Sequence, residues 1–164
     1  MMKKTTVARG PLQGLLLAGA LLGAGIAQAA DLEVVDPWVA LAPPGAHATA
    51  AFMELKNPGD TAIDVVSADA EGFRAVELHL SVNEGGMHRM IEQERITVPA
   101  GESVHLAPGG YHVMLIGPER SLPEGEVVEI DLGLADGGQV TVEAPVTPRE
   151  KAMGGNGQSH GHQH

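Results

Sequence analysis

Four residues of this chain carry donor atoms that a soft metal ion prefers: His79, Met90, His112 and Met114. Ten residues lie between His79 and Met90, twenty-one between Met90 and His112, and one between His112 and Met114. Two imidazoles and two thioethers make an uncharged ligand set that suits Cu(I) better than Zn(II), Mg(II) or Ca(II). The chain has no cysteine, so thioether sulfur is the only soft donor it offers. A copper site is the first expectation.

The elements around these residues must bring them together. Asn83-Glu84-Gly85-Gly86 separates two β-type runs, which reads as a hairpin. A turn centred between Glu84 and Gly85 sets His79 directly opposite Met90, with Cβ atoms ~4.5–5.5 Å apart. On that register His88 lies on the ligand face and Met87 on the other. His112 and Met114 are two apart on a strand and leave it on the same face, while Tyr111, Val113 and Leu115 point the other way into a core. Spacing alone does not bring this strand to the hairpin.

The remaining chain has the same character. Short β-type runs recur every eight to twelve positions: Leu32–Val35, His47–Lys56, Ile63–Ala68, Ala75–Val82, Met87–Glu92, Ser103–Leu106, Tyr111–Ile116, Glu126–Leu132 and Gln139–Val146. Turn signals such as Asn57-Pro58-Gly59-Asp60 and Pro108-Gly109-Gly110 separate them. The pattern is that of an all-β sandwich or barrel. Met53, in an alternating strand, is expected in the core, and Trp38, the only tryptophan, is expected to anchor the first strand.

The N-terminus reads as a secretory signal over residues 1–29. Lys3, Lys4 and Arg9 form a positive region, an apolar run follows, and Ala27-Gln28-Ala29 is an A-x-A cleavage site. Export leads to an oxidising compartment, where thioethers outlast thiols. A copper-binding domain is expected over 30–148. All 21 Asp and Glu, but only seven of the ten Lys and Arg, follow the leader, giving a mature net charge of about −14. That charge argues against nucleic acid as a partner, and no later run is long and apolar enough for stable membrane insertion.

From residue 149 to 164 the composition turns to Gly, Ser, Gln and His, which reads as a flexible, disordered tail. Its His160, His162 and His164, with Met153, are candidate Cu(II) contacts. Met87 and His88 are further candidate copper contacts on the hairpin.

The spacing His-X10-Met-X21-His-X-Met resembles the signature of the PCuAC family of periplasmic copper chaperones. Asp36-Pro37-Trp38, Ala51 to Asp60, Val76-Glu77-Leu78-His79 and Leu106 to Leu115 are similar to its blocks, so the resemblance covers roughly Leu32 to Pro145. Two positions depart from the family pattern: Ser81 stands where many members carry Met, and His88-Arg89-Met90 where many carry Met-x-Met. The resemblance implies a cupredoxin-like Greek-key β-barrel or sandwich. It also implies a periplasmic carrier of Cu(I) that supplies respiratory oxidase copper centres, the dinuclear CuA centre above all, and the lack of a catalytic constellation argues against an enzyme. Its partner would be a copper-accepting oxidase subunit or another periplasmic copper chaperone, and a monomer is expected. The alternative is a storage or tolerance protein that sequesters copper without delivering it.

Overall fold

The computed structural model describes residues 31–153. The segment read as a signal, residues 1–29, and His160, His162 and His164 lie outside the described residues. Ten strands and one short helix follow in order: β1 Glu33–Ala40, β2 Ala48–Lys56, β3 Ile63–Asp69, β4 Phe73–Glu84, β5 Met87–Glu92, β6 Ile96–Val98, β7 Ser103–Leu106, β8 Tyr111–Pro118, β9 Val127–Leu134, β10 Gln139–Thr147 and α1 Arg149–Met153. They hydrogen-bond in the order β5-β4-β8-β7-β2-β1-β10-β9-β3-β6, with an added β8–β2 pairing. The β1–β10 pairing is parallel and joins two halves that are antiparallel apart from the short parallel contact of β7 with β8. Side chains of both halves meet in one core: Val39, Leu55, Val113 and Leu115 from the first, and Val65, Ile96, Ile130 and Leu132 from the second. Each buried aliphatic side chain of this kind contributes about 1.5–3 kcal/mol.

Nine of the strands fall where alternation and turn residues place them. The Asn57-Pro58-Gly59-Asp60 turn is fastened from within. Buried Asn57 donates to the carbonyls of Thr61 (2.8 Å) and Val98 (3.0 Å) and accepts from the Gly59 amide (3.0 Å). Three features differ from the sequence reading. Ile96–Val98 forms a three-residue strand, too short for periodicity to reveal. Arg149–Met153 forms one helical turn where a flexible segment was expected, and Lys151 reaches Glu124 at 2.5 Å.

The third difference is β1, which continues past Val35 to Ala40. The expected strand stops at Val35, but Asp36-Pro37 forms a β-bulge within a longer one: Asp36 has φ 48°, and the register with β2 shifts between Val35 and Trp38. One extra residue reverses the side-chain parity of everything after it. Val39 thereby enters the core, and Trp38 turns to the opposite face, where its ring lies 4.7 Å from that of Phe52.

Candidate metal site

The sheet face away from the core collects the residues singled out by their chemistry. β4 and β8 pair so that His79 faces His112 and Glu77 faces Met114. On the far side of β8, Ala50 of β2 pairs with Met114, and the Phe52 ring lies 6.2 Å from the His112 ring. On the far side of β4, β5 sets Glu92 opposite His79, Met90 opposite Ser81 and His88 opposite Asn83. Behind this face, Val113 and Leu115 are fully buried in the core and Tyr111 packs against it, as the alternation requires.

The hairpin register corrects the sequence reading. The turn is centred between Gly85 and Gly86, with φ 59° and 83°, and not between Glu84 and Gly85. A two-residue turn of this kind needs positive φ at both central positions, and a Gly-Gly pair supplies it without strain. Met90 therefore faces Ser81, not His79. The shift moves each partner by two positions, so no side chain changes face. Met90 and His88 remain on the His79 side, with Met90 diagonal to His79, and Met87 lies on the other face opposite Glu84.

The two histidines form the centre. Their rings lie 5.7 Å apart. His112 is 2% exposed, and the His79 side chain 14%. Each ring uses one nitrogen locally. His79 Nε2 is 2.8 Å from Glu77 Oε2, and His112 Nδ1 is 3.2 Å from the Gly110 carbonyl. The other nitrogens, His79 Nδ1 and His112 Nε2, are buried and have no hydrogen-bond partner among the described residues. If the bonded nitrogens carry the protons, the buried ones each point a lone pair at nothing. A bare buried polar atom is costly. Metal-binding histidines show this same division, one nitrogen on the ion and the other N–H given to a carboxylate or backbone carbonyl. Metal–nitrogen bonds of about 2 Å to two imidazoles set their ring centres roughly 5–6 Å apart, matching the separation here.

Burial holds the His112 imidazole below its ordinary value of 6.5. The Gly110 hydrogen bond opposes that shift, and the neighbouring His79 adds to it. Neutral imidazole is the form that binds metal. Among the described residues no group of three or more His, Asp or Glu stands where it could hold an ion. The imidazole pair must take its remaining donors from elsewhere, and Met114, half-buried beside His112, and Met90, 60% exposed on the hairpin, are the sulfurs on that face. Met53 is 3% exposed in the core, away from them. Met153 is exposed on α1. Glu77 was not singled out from sequence, although Glu77-x-His79 on a strand places both side chains on one face.

A cupredoxin-like all-β domain with a closely spaced His pair and thioethers on one sheet face is the class of protein seen here, and solved structures of that class match it. The Cu(I) form of DR1885 from Deinococcus radiodurans is 36% identical, with a TM-score of 0.61 over 75% of this chain and 83% of that one. Its apo form is 34% identical, with a TM-score of 0.58 over 91% and 97%. The copper-bound PCuAC domain from PmoF2 shares the fold at 24% identity, with a TM-score of 0.62 over 74% and 96%. The chain belongs to the LpqE-like family, whose model matches residues 32–146. A relative from Leifsonia xyli subsp. xyli, "Putative lipoprotein Lxx21020", is 37% identical over 120 residues, covering 73% of this chain and 71% of that protein.

Proposed function

We propose that this protein binds Cu(I) through His79, His112, Met114 and Met90 and carries it, outside the cytoplasm, to the copper centre of a respiratory oxidase, CuA above all. The observation that carries this reading is the close imidazole pair with one buried, bare nitrogen on each ring. The copper-loaded relatives support the choice of metal. Thioethers supply soft donors that need lose no proton, and Met90 leaves one side of the site open to solvent, as ligand exchange with an acceptor requires. The lipoprotein-named relative and the leader-like N-terminus support export. Among the described residues no helix is long and apolar enough to cross a membrane. His160, His162 and His164 form a second, Cu(II)-preferring site in this proposal.

The test is anaerobic competition of the mature protein against a Cu(I) chelator, followed by X-ray absorption of the copper-loaded form. One tightly held Cu(I) per chain, with both sulfur and nitrogen neighbours, is expected at the folded domain. A copper environment of nitrogen and oxygen alone would overturn the ligand set. Mixing with a metal-free CuA domain should then move copper to that domain; retention of the metal would favour sequestration.

A further inference from the structure

We infer that His88 is a transfer ligand, the outer stop at which Cu(I) leaves the His79–His112 pair for its acceptor; this rests on the Cu(I) reading above. The donors on the ligand face form one line running outward along the hairpin. His112 is 2% exposed, the His79 side chain 14%, Met90 60%, and His88 is exposed near the tip. Register sets the line: His112 opposes His79, Met90 lies two pairs beyond His79 on β5, and His88 two pairs beyond Met90. Residues two apart on a strand are about 6.6 Å apart. The long, freely rotating Met90 side chain can bridge such a step in either direction.

The hairpin is also an arm. β8 begins at Tyr111, paired with Leu80, and the last bond from that side is the Ser81 amide to the Gly110 carbonyl at 3.0 Å. Beyond Ser81, β4 pairs only with β5, and β5 is the edge of the sheet with all six residues exposed. A partner can therefore approach His88 without touching the barrel. Electrostatics favour a cation on this face. Within 79–92 the single Lys or Arg, Arg89, lies on the opposite face, 3.5 Å from Glu84, whereas Glu92 shares the ligand face with His88 and Met90. In the transfer step copper stays Cu(I). A bond to His79 or His112 nitrogen is exchanged for one to His88 nitrogen, and an acceptor donor then displaces the remaining protein ligands. No electron moves.

Stopped-flow transfer of Cu(I) from the full-length protein to excess bathocuproine disulfonate tests this, with equilibrium affinity measured in parallel. His88→Ala is expected to slow transfer by about tenfold or more while leaving the equilibrium constant within about threefold, since a ligand used only in passage speeds loading and release alike. His88→Met, which restores a Cu(I) donor, should recover the rate. An unchanged rate in His88→Ala overturns the proposal. So does an affinity loss as large as the rate loss, which would make His88 a permanent ligand, or an equal slowing in Met87→Leu on the opposite face. Failure of the unsubstituted protein to bind Cu(I) would instead sink the binding reading itself.

Discussion

Met90 faces Ser81 across the β4–β5 hairpin, two residue pairs nearer the turn than His79. Its sulfur reaches the His79–His112 pair only diagonally, over a Cα separation of about 7–8 Å, within range of a long side chain. The turn therefore controls one donor of the candidate site. Gly86 sits at φ 83°, where a Cβ costs about 1–2 kcal/mol. Gly86→Val should loosen the arm and weaken Cu(I) binding, while amide exchange in Val113 and Leu115 stays slow. Fast exchange throughout β8 would show that the arm and the barrel unfold together.

Sulfur and bulk can be separated at Met114. Met114→Leu keeps the apolar volume and should change folding stability by less than about 1.5 kcal/mol. Its Cu(I) affinity should fall steeply. Met53→Ala should do the reverse, losing about 2–5 kcal/mol of stability from the core and keeping the copper. Denaturant midpoints and chelator competition on the two variants decide between the roles.

Acid should weaken the metal-free fold through His112. Its folded pKa lies below the unfolded value of 6.5 because burial disfavours the charged ring. The unfolded chain then binds a proton that the folded chain resists, so this contribution is fully present above pH ~6.5 and is lost as pH falls from there through the folded pKa. The urea midpoint should drop between pH 7.5 and 5.5. His112→Leu should flatten that part of the profile, and an unchanged slope would show that other groups carry it.

Glu77 offers a further test. Its carboxylate accepts from His79 Nε2 and leaves the Nδ1 lone pair free for a metal. Glu77→Ala should let the ring exchange tautomers, visible as altered ¹⁵N imidazole shifts, and should lower Cu(I) affinity by about 10–100-fold, as loss of a supporting partner does elsewhere. Unaltered shifts would mean that burial alone orients the ring.

Removal of residues 154–164 should abolish any Cu(II) binding and leave Cu(I) at the barrel untouched. Copper titrations read by paramagnetic resonance distinguish the two ions. Cu(II) uptake that survives truncation would put it on the folded domain.

Much of this architecture was legible because period-2 alternation and turn residues are local signals. The alternation around His112 put Val113 and Leu115 inside, and it put His112 and Met114 on the other face. The face of Met90 and His88 was also readable, since parity survives a two-position shift. What local patterns could not supply was long-range pairing. That β8 lies beside β4, with His112 opposite His79, is a contact between residues 33 apart in sequence. Nor could the sequence choose between Glu84-Gly85 and Gly85-Gly86 as the turn pair, since both contain the glycine that positive φ favours. The bulge at Asp36-Pro37 was hidden for a related reason: proline signals a strand's end more often than its irregular continuation.

That bulge also makes the protein its own optical gauge. Trp38 is the chain's single tryptophan, and the bulge turns it onto Phe52, whose ring in turn neighbours His112. All indole emission therefore comes from one place, two ring contacts from the proposed copper ligands. Loading and release can be followed by unlabelled fluorescence, with quenching assigned to a single chromophore.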